Sequence, residues 1–278
     1  VAFNRLIEVV IGSTAGTGKK ISQSRIRFSV DKTDNKSANE SIIEIWNLSD
    51  ATANLAKTNY KIILRAGYED EGGLKNLFFG DIKEAIQKKE GTDKILKISA
   101  YDGYTNIQNK TISLSYKAGT SIQQIFNDFT SVFGLPITNK NLVLTGNYAN
   151  GYAYVGKVKQ GITEILNYAG KQWSIQNNQI IVYSPGEFIQ TTGLKLSPNT
   201  GLIGTPEPIS NSDDQQTEGQ TIPKRWKIKS LLFPQLFPGV KIRINSEKVN
   251  GYFRIETSKS LGNNWEGDFT CEMEVVEI

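Results

Sequence analysis

The 278-residue chain contains no histidine, one cysteine and one methionine. Without an imidazole there is no histidine general base, no histidine-ligated zinc and no titrating switch near neutral pH. A Ser-His-Asp triad is excluded on the same ground. The lone Cys271 has no partner for an intrachain disulfide and cannot build an all-cysteine metal site. No apolar run approaches the ~18 residues of a membrane span. The opening VAFNRLIEVVIG is briefly apolar but lacks the organisation of a signal peptide. Basic residues exceed acidic ones by only four, unevenly placed along the chain, and no segment forms the dense polybasic patch of a nucleic-acid reader. Carboxylate chemistry remains open, both as an oxygen-ligated cation site and as a glycosidase pair.

What is present reads mainly as strands. Leu6–Ile11, Ile21–Val30, Ser41–Leu48, Lys61–Tyr68, Leu74–Phe79, Asp81–Lys88 and Lys94–Tyr101 carry apolar runs or period-two alternation. Within this stretch SDATANLAKT reads as one short helix, capped by Ser49 or Asp50. The spacing implies a small barrel or curled sheet over 1–117.

The character changes near Ala118. Ile122, Ile125, Phe126, Phe129, Val132 and Phe133 recur at helical steps, and Gly134 and Pro136 end the run. A second helix is predicted over Ile162–Ala169, and QWSIQNNQIIVY reads as a hairpin turning at Asn177-Asn178 or Asn178-Gln179. This gives a middle α+β domain over 118–196. Residues 197–220, rich in Pro, Gly, Ser and Asn, read as a linker or long loop. Strands resume over 221–278, at Arg225–Phe233, Val240–Ile244, Gly251–Lys259 and Gly267–Val276. The two β segments end in a weakly similar pattern: strand, longer strand, glycine-containing turn, long alternating strand. The fold class is therefore mainly β with an α+β insert.

Several motifs invite chemistry. GSTAGTGKK at Gly12–Lys20 lacks the first glycine of a phosphate loop, since Ser13 stands there, and a strand follows; it reads as a hairpin or mobile loop. Glu69, Asp70 and Glu71 precede two glycines without the spacing of a calcium loop, so a solvated turn is expected, and Asp213-Asp214 is read alike. Asp128 and Glu164 lie on the two helices, with nothing in the sequence to face them across a cleft. No cofactor or metal site is expected.

The aromatic residues are more informative. Tyr148, Tyr152, Tyr154, Tyr168 and Trp173 concentrate in the middle domain. They read as core or protein interface, with the alternative that Tyr148, Tyr152, Tyr154 and Trp173 are sugar-stacking platforms. Leu231, Leu232, Phe233, Leu236 and Phe237, bracketed by prolines, suit a domain or subunit contact.

The chain resembles the baseplate hub proteins of tailed bacteriophages and related contractile injection systems. The resemblance is carried by IRFSVDKTDNKSANESIIEIWNLSDATANLAK, by YDGYTNIQNKTISLSYKAGTSIQQIFNDF, by GITEILNYAGKQWSIQNNQIIVY, and by LLFPQLFPGVKIRI with VNGYFRIETSKSLGNNWEGDF. It implies two tail-tube-like β-barrel domains flanking the small α+β domain, the second built from the C-terminal strands. It also implies a homotrimeric ring joining a sixfold tail tube to a threefold central spike, with a channel for DNA. The implied partners are the spike, tail tube or distal baseplate proteins and the tape measure protein. The implied location is the virion tail baseplate, after synthesis in the host cytoplasm. No lysozyme-like or peptidase-like segment is visible, so the role is structural and not enzymatic. The alternative is a glycan-binding tail or surface adhesin.

Overall fold

The computed structural model describes residues 4–13, 18–138, 142–209 and 223–278. The first strands are β1 (Arg5–Gly12), β2 (Gly18–Ile21), β3 (Ile26–Thr33) and β4 (Glu40–Trp46). A four-residue helix α1 (Asp50–Ala53) follows, whose Ser49 hydroxyl accepts from the Thr52 N–H. Then come β5 (Lys61–Tyr68), β6 (Lys75–Glu90) and β7 (Asp93–Tyr101). The middle of the chain holds α2 (Tyr104–Asn109), β8 (Thr111–Tyr116), β9 (Thr120–Ser121) and α3 (Ile122–Phe133). It continues with β10 (Asn147–Tyr148), β11 (Tyr152–Lys157), α4 (Val158–Tyr168), β12 (Gln172–Gln176) and β13 (Gln179–Tyr183). The last part holds β14 (Gln190–Leu196), β15 (Leu202–Pro208), β16 (Arg225–Leu231), β17 (Val240–Asn245), β18 (Asn250–Asn263) and β19 (Phe269–Glu277).

The protein is mainly β-sheet with a smaller α/β region. Thirteen strands form one sheet, ordered β15-β16-β19-β18-β3-β4-β7-β6-β5-β1-β2, with β17 and β14 branching from β18. Among the described residues the path ends at β15 and β2 and does not close. It curls instead. Inward side chains of β1 and β3 to β7, including Val9, Ile26, Ile43, Leu64, Phe78 and Ile98, meet in one apolar core. Those of β14 to β19, including Leu196, Ile228, Ile242, Phe253 and Met273, form another. A third core lies in the α/β region, where the apolar stripes of α3 and α4 meet Trp173, Ile175 and Ile180 of the β12–β13 hairpin. At the α3–α4 crossing Gly161 admits the Phe129 ring, where an added Cβ would stand 2.1 Å from it.

The two β lobes repeat one topology. In the first, β3-β4-β7-β6-β5 lie side by side, all antiparallel. In the second, β15-β16-β19-β18-β17 do the same. Each lists its members in the chain order first, second, fifth, fourth, third. The irregularities repeat as well. Lys83 is the extra residue of a bulge after Ile82 in β6, and Glu256 is the extra residue after Ile255 in β18. Ile82 and Ile255 are both fully buried, so the bulge sits at the same point of each core. The pattern similarity between the two β segments thus has a structural basis. The lobes are fused by β3 pairing with β18 over seven positions, from Thr257↔Thr33 to Asn263↔Arg27. At this seam Gly262 opposes Phe28, and a Cβ there would meet the ring at 2.3 Å.

Three boundaries differ from the sequence reading. The α/β region begins at Tyr104, not near Ala118, because Ile107, Ile112, Leu114 and Tyr116 pack in its core. Residues Gln190–Leu196, assigned to the middle domain, form β14 and pair parallel with β17. Within the expected linker, Leu202–Pro208 is the strand β15. Its Pro206 and Pro208 suggested a loop, but β15 ends the strand path, and an edge strand tolerates residues without an N–H. The rest of that segment, 210–222, lies outside the described residues, as does Asp213-Asp214. No helix among the described residues is long and apolar enough to cross a membrane.

Candidate assembly surfaces

Each strand of the large sheet turns one set of side chains to a core and the other to the open face, because strand side chains alternate. On β3, Ile26, Phe28 and Val30 are buried while Arg27, Ser29 and Asp31 face outward. Following the register across the sheet, several charges on this open face meet their opposites, while Lys195 of β14 lies opposite Arg243 of β17 and Lys89 of β6 opposite Lys94 of β7. Lys229 of β16 is 3.2 Å from Glu272 of β19, and Lys259 of β18 is 3.6 Å from Asp31 of β3. Lys227 lies opposite Glu274, and Glu44 of β4 lies between Arg27 and Lys97, pairing with Arg27. Such exposed pairs add only a few tenths of a kcal/mol each. Their larger effect is on the field, since a wall of alternating signs carries little net potential.

The α/β region is held to the sheet by polar contacts. Asp102, buried at the end of β7, accepts from the Asn39 N–H at 2.8 Å, the Asn39 side-chain amide at 2.9 Å and the Asn177 N–H at 3.1 Å. Asn177 and Asn178 turn the β12–β13 hairpin, both at positive φ, as a two-residue turn requires. Their side chains also bind outward: Asn177 Oδ1 accepts from Lys32 Nζ at 2.9 Å, and Asn178 Oδ1 from the Gly103 N–H. Gln176 donates to the Thr33 carbonyl at 2.7 Å, and Tyr183 to that of Asp34 at 2.6 Å. Asp34 also pairs with Arg254 of β18 at 2.6 Å. Burial pushes the Asp102 carboxyl up to about 7, against the pull of its N–H donors and of Lys32. Burial draws the Lys32 amine down to about 8, with the Asp102 charge opposing. Apart from the turn residues Asn177 and Asn178, none of these residues stood out in the sequence. One signal was available: Lys32 continues the inward series Ile26, Phe28, Val30, a position where a charge needs a buried partner.

The middle-domain tyrosines form a stacked ladder. Tyr168 and Tyr148 stack at 4.4 Å between ring centres, Tyr148 and Tyr152 at 4.7 Å, and Tyr152 reaches Tyr154 at 6.3 Å. Tyr152, Tyr154 and Tyr148 pack on the α3–α4 core, so much of each ring is already covered. Trp173 is 1% exposed, edge-on to Phe133, with its N–H donated to Thr163. It is therefore core and cannot be a sugar platform, which corrects that part of the alternative reading. Asp128 accepts from Tyr116 at 3.0 Å and Glu164 from Tyr152 at 3.3 Å, so the two helix carboxylates serve separate tyrosines. Burial, ahead of the carboxylate bond, raises the Tyr116 hydroxyl to about 12.

The proline-bracketed segment is split between cores. Leu232 belongs to the first lobe's core and Leu236 to the second's, both fully buried. Leu231 packs on the first, and Phe233 and Phe237 on the second. The five residues thus sit where the two lobes meet. The Glu69–Glu71 turn is a short 3-10 turn closed by left-handed Gly72. Residues 14–17 of the glycine-rich loop lie outside the described residues; its flanks are the paired strands β1 and β2. Among the described residues no group of three potential ligands could hold a metal.

No family model matches the chain, and no curated protein does. Solved structures do. A tail protein from Neisseria meningitidis MC58 superposes with a TM-score of 0.68 at 11% identity, over 99% of this chain and 97% of that one. The 43 kDa tail protein of prophage MuSo2 from Shewanella oneidensis gives 0.67 at 9% identity, over 97% and 96%. An E. coli component of the type VI secretion system, described as similar to the T4 tail proteins gp27 and gp5, gives 0.62 at 10% identity, over 97% and 76%. Along almost its whole length the chain shares the fold of these phage tail and secretion-system proteins.

Proposed function

We propose that the chain is a structural subunit of a phage-type tail baseplate, acting as a hub. Three copies form a ring that joins a sixfold tail tube to a threefold central spike and leaves a channel for DNA. The observation that carries this reading is the repeated five-strand lobe fused through β3 and β18. A chain with two like lobes offers six similar units per trimer, which matches a sixfold partner on one side and a threefold one on the other. The end-to-end fold likeness to tail proteins supports it.

On this reading the open sheet face lines the channel. Its cross-strand pairs Lys229–Glu272, Lys259–Asp31 and Arg27–Glu44 offset part of the positive charge on which phosphates would lodge. The edges at β2 and β15 are where neighbouring copies join, since an unpaired strand edge is a template for another strand. The α/β region stands off the ring and meets the spike, distal baseplate or tape measure proteins. The action is mechanical: hold the spike, then leave an open passage. The site of action is the virion tail, after synthesis in the host cytoplasm.

Light scattering over a concentration series, paired with negative-stain microscopy, tests this. A ring of about three chain masses, near ~93 kDa, is expected. A species that stays at 30.9 kDa and shows no rings, alone or with the cognate spike, overturns it.

A further inference from the structure

A second surface lies away from the open sheet face. A cleft of about 670 Å³ runs between the β3–β4 loop and the start of α4, lined by Lys36, Lys157, Lys159, Ile107, Gln160 and Glu164 among others. Its three lysines come from three segments: Lys36 from the loop, Lys157 from the end of β11, Lys159 from the first turn of α4. Among the described residues none of them forms an ion pair. Lys36 donates to the Asn167 side chain at 3.3 Å. Burial, then the charge of Lys36, lowers the Lys159 amine, so the fold brings like charges together at a cost. Glu164, the one acid in the lining, is engaged by the Tyr152 hydroxyl.

We propose that this cleft binds a short acidic peptide segment of a partner protein, its carboxylates taken by Lys36, Lys157 and Lys159. The chemistry favours peptide over nucleic acid. The lining has no arginine fork for phosphate and no aromatic ring for a base. Ile107 and the amide of Gln160 suit a mixed peptide side. The inference does not depend on ring formation.

The test is fluorescence anisotropy of a labelled, end-capped hexaglutamate peptide with the full chain, at low and at moderate salt. The triple variant Lys36→Gln, Lys157→Gln, Lys159→Gln is compared with a control that removes the same charge from exposed sites elsewhere, Lys75→Gln, Lys88→Gln, Lys89→Gln. The cleft variant should lose affinity about tenfold or more while the control changes it less than about twofold. Carbodiimide crosslinking of the peptide to the unaltered chain should map to the three cleft lysines, which covers the case of a misfolded variant. Equal losses in both variants, crosslinks scattered over other lysines, or no binding would overturn the proposal. So would tighter cleft-dependent binding of a single-stranded oligonucleotide, which would assign the cleft to phosphate.

Discussion

Replacing Asp102 with asparagine tests whether the polar clasp between the sheet and the α/β region is a structural joint. The carboxylate accepts three N–H bonds, one at Oδ1 and two at Oδ2. An amide offers one oxygen. If that oxygen takes the two-bond position, its NH₂ faces the Asn39 backbone N–H. One charge-assisted bond is lost, worth about 1.5–3 kcal/mol, and one buried donor is left unpaired, costing about 1–3 kcal/mol. The neutral amide is easier to bury than a carboxylate, which offsets part of this. Because burial already raises the Asp102 carboxyl to about 7, that offset is large at pH 7.5, leaving a net loss of about 1–3 kcal/mol, or roughly 2–5 °C in melting temperature for a chain of this size. Calorimetry of both proteins reads it, with hydrogen exchange at Asn177 and Gly103 to locate the opening. A melting temperature within about 2 °C of the parent would refute the argument and mean that water already serves these donors. The pH dependence has a defined sign. Asp102 is raised in the fold to about 7, so the stability it contributes is full below its unfolded value near 3.8 and is lost as pH rises through 7. Lys32 is lowered to about 8, so its contribution is full above 10.5 and lost as pH falls through 8. The clasp is therefore weakest between about pH 7 and 8, and the Asp102→Asn protein loses the acid-side part of that profile.

Gly262→Ala should loosen the seam between the lobes, because the new methyl meets the Phe28 ring at 2.3 Å. Overpacking of this kind costs about 1–3 kcal/mol, and trimming Phe28 to leucine in the same chain should recover part of it in urea unfolding. Cys271 is buried, and burial pushes its thiol up to about 12. Native protein should therefore resist thiol reagents at pH 8, and labelling at the rate of a free cysteine would contradict the burial.

Much of the fold was legible because its signals are local. Ile26, Phe28 and Val30 alternate as a half-buried strand must, and the α3 stripe ends at Gly134, which is left-handed as expected. α3 follows from spacing, α4 does in part, since it begins at Val158 and not at the expected Ile162, and the Asn177–Asn178 turn is one of the two that turn chemistry offered. What the sequence hid was the partner of each strand. β3 pairs with β18 and β14 with β17 across long separations, and nothing local to either member names the other. β15 was hidden by its prolines, which mark both loops and edge strands. The candidate surfaces were legible only in part. Apolar clusters are visible in a sequence, but whether Leu232 and Leu236 face outward or fill two cores is decided by tertiary packing. The open-face charge rows depend on register between strands far apart, as the Lys229–Glu272 pair does.

The seam also sets an order of events during synthesis. Thr33 and Thr257 are neighbours in the sheet but roughly 220 residues apart in the chain, a closure that is intrinsically slow. At about 5–20 residues per second a ribosome needs on the order of ten seconds or more to reach β18 after β7 has emerged. During that interval the first lobe has its own partners for β4 to β7 but leaves one edge of β3 bare. Nascent chains crowded on one message would present that same bare edge to each other. Truncations that stop before Asn250 should accumulate as aggregates, and a chaperone that shields strand edges would be needed most before the last thirty or so residues are made.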